Sequence, residues 1–235
     1  MSDRLVIFDV DGTLCDTCDV DDVGFCAVAA EMLGAPVPPS SWKAAPDITD
    51  AGILAWLWHR HRGRGPTPEE REAFVAGFES VLARELRRAS GRSLAMAGAA
   101  QLLGRLAATG WNFAFATGGW GRTARLKLRT AGLPVEPLLA SSDDSPDRAE
   151  IFRLAGDRAA ARSGAPHARS VLVGDGIWDV RVAAHLGWPL LGIARGERAQ
   201  RLREEGASAV VPDFQDLNAV LGLLLGCEVP RRPRR

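Results

Sequence analysis

The apolar positions of this chain fall into two regimes. Near the start, Leu5-Val6-Ile7-Phe8 is a short unbroken apolar run, the pattern of a strand covered on both faces of a parallel sheet. Between that run and Gly98 the strand signal vanishes, and helical periodicity predicts three helices, Val20 to Leu33, Ile48 to His61 and Pro68 to Ala89. The third is clearly punctuated. Thr67 and Glu70 have capping-box spacing, Pro68 takes the first helical position and Gly91 lies just past the end.

After Ala97 helix and strand alternate. The pattern predicts a helix to Thr109, a strand from Trp111 to Ala116, a helix to Ala131, a short strand near Leu138 to Ala140 and a helix near Asp147 to Arg162. A strand to Val173, a helix from Ile177 to Leu186, a strand from Leu190 to Ala194, a helix from Glu197 to Glu205, a strand from Ala209 to Val211 and a closing helix to Leu225 complete it. Such alternation reads as an α/β fold with a doubly wound parallel sheet. Residues 1–15 and 94–229 are then the catalytic core, and residues 16–93 an α-helical insertion after the first strand.

Ligands of open parallel sheets bind beyond the carboxyl ends of the strands, so the residues there carry the chemistry. The first run ends in Asp9-Val10-Asp11-Gly12-Thr13. Residues i and i+2 of an extended segment share a face, so both carboxylates can address one reacting group, one as nucleophile and one as general acid and base. An Asp-Gly hairpin turn is the plainer use of that dipeptide, but no alternating strand returns after Thr13. The second run ends in Thr117-Gly118-Gly119, a hydroxyl followed by backbone that can approach an anion. The third ends in Gly174-Asp175-Gly176-Ile177-Trp178-Asp179. Alone, each also reads as a turn or a helix N-cap. Together, four acids at one sheet edge would repel one another without a hard cation, and Mg²⁺ is the ordinary partner of carboxylate and phosphate.

Asp9-x-Asp11-Gly12-Thr13, Thr117 and Gly174-Asp175-x-x-x-Asp179 resemble the first, second and fourth signature motifs of the haloacid dehalogenase-like (HAD) superfamily, over nearly the whole chain. The resemblance implies a Rossmann-like core and a Mg²⁺-dependent phosphatase of small phosphorylated metabolites. Asp9 would form an aspartyl-phosphate, Asp11 would protonate the leaving alcohol and then activate water, and Thr13, Thr117 and the Gly118 backbone would bind the phosphoryl group. Mg²⁺ would be held by the Asp9 carboxylate, the Asp11 main-chain carbonyl and Asp175, with Asp179 as a further carboxylate. The insertion would be a cap that closes over the site and selects the substrate.

The superfamily's third motif usually supplies a lysine. This chain has two lysines, Lys43 and Lys127, and neither stands in the corresponding stretch. There the nearest cation is Arg148, which reads as the substitute and as a phosphate-binding catalytic group, with Lys127, inside a helical run, as the competitor. A phosphonatase would need a cap lysine, leaving only Lys43. A phosphosugar mutase on the same scaffold and a non-catalytic ligand-binding protein also fit the motifs.

Composition narrows the class. At 235 residues and zero net charge the chain can bury a large core and offers no electrostatic footprint for nucleic acid or an anionic membrane. The basic tail, residues 230–235, reads as a disordered, solvated end. No stretch approaches the length of a membrane span, and Met1-Ser2-Asp3-Arg4 enters the first strand without a signal peptide, so a cytoplasmic enzyme is expected. Cys15, Cys18, Cys26 and Cys227 include one Cys-x-x-Cys without a second pair, which reads as structural thiols. Trp42, Trp56, Trp58, His59, His61, Arg62 and Arg64 are candidate pocket residues of the insertion, and Asp16, Trp120 and Arg122 flank the motifs.

Overall fold

A computed structural model describes residues 3–39, 45, 48–88, 93–135 and 138–226. Trp42, Lys43, Gly91, Cys227 and the basic tail lie outside the described residues. Six strands, β1 (Arg4–Phe8), β2 (Asn112–Ala116), β3 (Leu138–Ala140), β4 (Arg169–Gly174), β5 (Leu190–Ile193) and β6 (Ala209–Val211), form one sheet in the order β3-β2-β1-β4-β5-β6. All pairings are parallel. The apolar run at residues 5–8 is therefore a central strand, with Phe8 level with Phe115 on one side and Val173 on the other. Chain order reverses at β1, the position at which doubly wound sheets open a crevice.

Around the sheet lie α1 (Cys18–Leu33), α2 (Asp50–Arg62), α3 (Pro68–Arg88), α4 (Ala99–Ala108), α5 (Gly121–Thr130), α6 (Arg148–Ser163), α7 (Ile177–Leu186), α8 (Gly196–Glu205) and α9 (Leu217–Gly226). Alternation along β1 divides the core. Val6 and Phe8 pack on one face with Leu102, Leu106 and Phe214, whereas Leu5 and Ile7 pack on the other with Ile151, Phe152 and Val180. Side chains of this size, fully withdrawn from water, each contribute about 1.5–3 kcal/mol.

A third apolar cluster belongs to the helices between β1 and β2. Phe25 of α1, Leu54, Leu57 and Trp58 of α2 and Phe74, Phe78 and Leu82 of α3 form it together with Trp120. The Phe25, Phe74 and Phe78 rings meet at 4.8 to 6.2 Å between centroids. Local chemistry sets the helix ends. The Thr49 hydroxyl accepts a hydrogen bond from the Gly52 N–H at 3.1 Å, so α2 starts at Asp50 and not at Ile48. Thr67 and Glu70 form the reciprocal capping box, at 2.8 and 3.2 Å, and the Asp147 carboxylate caps α6 by accepting from the N–H groups of Ala149 and Glu150.

Candidate active site

The motif residues converge at the carboxyl ends of the three neighbouring strands β2, β1 and β4. Asp9 follows β1 directly, donates its N–H to the Val173 carbonyl at 2.9 Å and is only 3% exposed. The chain then turns at Gly12, whose φ is +75° and whose missing side chain leaves room for the Asp175 carboxylate. The Thr13 hydroxyl, fully buried, donates to Asp9 Oδ2 at 3.4 Å. Thr117, past β2, donates its N–H to the Ala140 carbonyl at 3.0 Å, and its hydroxyl accepts from the Gly119 N–H at 3.0 Å. At Gly118 a β-carbon would collide with the Arg148 guanidinium, so the backbone runs close beside that side chain.

The capped start of α6 delivers Arg148 into the acid cluster. Its Nη2 donates to Asp9 Oδ1 at 2.9 Å and to Asp179 Oδ1 at 2.8 Å, and its Nε donates to the same Asp179 oxygen at 3.0 Å. The guanidinium lies over the Phe152 and Trp178 rings, at 5.5 and 5.9 Å from their centroids. Lys127 stands elsewhere. Its Nζ donates to Asp11 Oδ2 at 2.8 Å and pairs with Asp21, while Asp11 Oδ1 accepts from the Thr17 hydroxyl at 2.6 Å.

Asp179, wholly buried at the third position of α7, also accepts from the Gly176 N–H at 2.9 Å. Asp175, past β4, pairs with Arg198 of α8. Burial pushes the Asp9 carboxyl well above its ordinary value. The Arg148 guanidinium opposes this, and Asp179, Asp175 and Asp11 add to it. Asp175 is pushed up to about 7, first by burial and next by Asp179, with Arg198 and Arg148 pulling it down. Asp9, Asp175 and Asp179 offer carboxylate oxygens within 4.8 Å of one another. Such an all-oxygen set of buried, mutually repelling acids fits a hard divalent cation.

A cavity of about 300 Å³ opens over these groups, walled on the helical side by Asp21, Asp22, Phe25, Asp50 and Ile53. Its size suits a small ligand. The sequence singles out Thr13, Thr117, Gly118, Arg148 and the four aspartates, and all but Thr13 and Asp179 line this cavity. Thr17, Asp21, Asp50 and Arg198 carry no such signal, because each meets its partner only through tertiary folding.

The candidate pocket residues of the insertion that the structure describes are placed elsewhere. Trp58 is wholly buried against Phe74, at 6.1 Å, and Trp56 lies under Arg60. His59 and His61 are exposed, and Arg62 and Arg64 pair with Glu70. Trp120 is buried in the helical cluster beneath Arg71, at 4.7 Å, and Arg122 pairs with Glu72 at 3.0 Å. Asp16 is exposed, with its N–H bonded to the Leu94 carbonyl. Core packing accounts for Trp58 and Trp120, and exposed helix surface for His59, His61 and the paired arginines. Cys15, Cys18 and Cys26 are free thiols, and no helix among the described residues is long and apolar enough to cross a membrane.

Comparison with known proteins agrees with this geometry. A model of the haloacid dehalogenase-like hydrolases matches residues 4–187. A phosphoglycolate phosphatase of Mesorhizobium japonicum is 25% identical over 94% of this chain and 96% of its own. Among solved structures, a hydrolase from Pseudomonas syringae superposes with a TM-score of 0.69 at 24% identity, covering 92% of this chain and 97% of that one. CbbY from Rhodobacter sphaeroides, crystallised as a mutant with xylulose-(1,5)bisphosphate, gives 0.69 at 20% identity, covering 92% and 96%.

Proposed function

The chain belongs to the haloacid dehalogenase-like hydrolase family, and on that footing we propose that it is a Mg²⁺-dependent phosphatase of a small phosphorylated metabolite. The observation that carries the proposal is the placement of Asp9. A buried carboxylate at the tip of a central strand faces Arg148 on one side, with Asp11 two residues on and Asp175 and Asp179 close by. Asp9 Oδ attacks phosphorus as the ester P–O bond breaks, and the leaving oxygen takes a proton from the Asp11 carboxyl to depart as an alcohol. Asp11, now a carboxylate, takes a proton from water. The resulting hydroxide attacks the aspartyl-phosphate, freeing inorganic phosphate and regenerating Asp9.

Arg148 supports this scheme by holding the Asp9 carboxylate and presenting positive charge where the phosphoryl oxygens would lie. The Thr117 hydroxyl and the Gly118 backbone supply the remaining phosphate contacts, whereas Thr13, expected from the sequence to join them, is fully buried and instead holds the Asp9 carboxylate. Mg²⁺, held by the Asp9 and Asp175 carboxylates and the Asp11 carbonyl with Asp179 behind them, would offset the phosphoryl charge. Helices α1 to α3, residues 16–93, act as the cap: they have their own apolar cluster and wall the cavity opposite the aspartates, so their closure would exclude water.

The phosphoglycolate phosphatase relative supports a phosphomonoester substrate, and the cavity of about 300 Å³ favours a small one. A phosphonatase reading gains nothing from Lys127, whose amine is tied to carboxylates; Lys43 lies outside the described residues. Phosphate release from a panel of phosphorylated metabolites tests the proposal. Turnover should need Mg²⁺ and vanish in Asp9→Asn, and turnover that survives this substitution removes Asp9 as nucleophile.

A further inference from the structure

Lys127 has no exposed side-chain surface. It lies on α5 among the buried Thr123, Ala124 and Leu128, on the inward face of an otherwise ordinary amphipathic helix. An ammonium in such a place needs carboxylates to satisfy it. It is paired with two and feels the charge of a third, from three separate parts of the chain. Asp11 follows β1 and lies at 2.8 Å, Asp21 of α1 is in direct ion pair, and the charge of Asp50, the first residue of α2, also acts on it. Asp50 is itself anchored, accepting from the Trp120 N–H at 3.0 Å and donating its own N–H to the Gly118 carbonyl at 2.7 Å.

Both oxygens of Asp11 are thereby committed, one to the Lys127 ammonium and the other to the hydroxyl of Thr17, the residue that leads into α1. The two reacting carboxylates have separate cations, Arg148 for Asp9 and Lys127 for Asp11. We infer that Lys127 is a positioning residue that orients Asp11 for proton transfer and makes that orientation depend on how α1 and α2 are seated, through Asp21 and Asp50. The inference rests on the phosphatase reading above. In the step concerned, the ester P–O bond breaks with its electron pair left on oxygen, and that oxygen receives the proton of Asp11; Lys127 keeps its own protons throughout.

If Lys127 served only to neutralise buried acids, its loss would lower stability and slow every substrate alike. A positioning role separates substrates by leaving group. Dinitrophenolate departs without a proton, whereas an alkoxide needs one. The experiment therefore measures the rate of enzyme phosphorylation, with Mg²⁺ present, from 2,4-dinitrophenyl phosphate and from an alkyl phosphate accepted by the unsubstituted protein. The variants are Lys127→Met and the charge-balanced Lys127→Met/Asp21→Asn, the second guarding against simple misfolding and checked by its melting temperature.

The rate with the alkyl ester should fall about 100-fold, the scale of a misplaced catalytic group, and the rate with the dinitrophenyl ester by less than about fivefold, since no proton is owed to it. Equal losses for both esters in the folded double variant overturn the positioning role while leaving the phosphatase reading intact. Absence of phosphate release by the unsubstituted protein from any ester overturns that reading and the inference with it.

Discussion

Arg148→Ala removes a guanidinium that bridges two carboxylates buried beneath the site, and the two consequences can be measured separately. The side chain is 11% exposed, and the side chains of its partners Asp9 and Asp179 are 4% and 0% exposed, so the pairing is largely withdrawn from water. Breaking a buried pair by removing one partner costs about 3–5 kcal/mol. In a protein of this size that corresponds to a fall in melting temperature on the order of 10 °C. Loss of a preorganised charge beside the transferring phosphoryl group should lower kcat/KM about 10²–10³-fold. Arg148→Lys keeps the charge but not the fork that touches both acids, so it should recover more stability than activity.

Arg153, one turn further along α6, is the control. It is 48% exposed and pairs with Glu150 and Asp157, themselves exposed, an arrangement that contributes little. Circular dichroism melting and phosphate release on Arg148→Ala, Arg148→Lys and Arg153→Ala decide the matter. Equal small effects at both positions would strip Arg148 of its place in the site and return it to the role of a surface helix residue.

Further expectations concern the turn, the cap and its charges. Gly12→Ala forces a side chain into the left-handed region and against the Asp175 carboxylate; it should weaken Mg²⁺ binding in a thermal-shift titration, and an unchanged Mg²⁺ response contradicts this. Phe78→Ala empties a fully buried site in the helical cluster at about 3–5 kcal/mol, so limited proteolysis should cut within residues 16–93 first; cuts beginning in the core residues argue against a separate cap. Burial raises Asp50 from 3.8 to about 7 against the pull of Lys127 and the Trp120 N–H. A carboxyl raised on folding penalises the folded state increasingly as pH climbs through that window, so Asp50→Asn should flatten the decline of stability between about pH 4 and 7, and parallel pH profiles would count against it.

Much of this arrangement is visible in the sequence because it is local. Apolar runs such as Leu5 to Phe8 report strands buried on both faces, Thr67 with Glu70 reports a helix start, and strand tips report where ligands gather. The partnerships of charge are different in kind. Arg148 is 139 residues from Asp9, and Lys127 is 116 from Asp11; no periodicity encodes such distances. Lys127 does carry one local sign, standing with Ala124 and Leu128 on the inward stripe of its helix. Arg198, on the polar helix α8, carries none, since its reach to Asp175 depends on how α8 seats beside β5 and β6.

The central position of β1 also bears on how the chain is made. β1 leaves the ribosome before both of the strands it must end up between, which begin at Asn112 and Arg169. While β1 waits, α1 to α3 are already complete at Arg88 and can collapse on their own aromatic cluster before any sheet exists. Parallel pairing at such separation is slow. Asp9 is therefore synthesised well before the strands that flank β1 and is assembled with them only later, and an abortive chain that stops short of β4 carries Asp9 without the acids that cluster with it, Asp175 and Asp179.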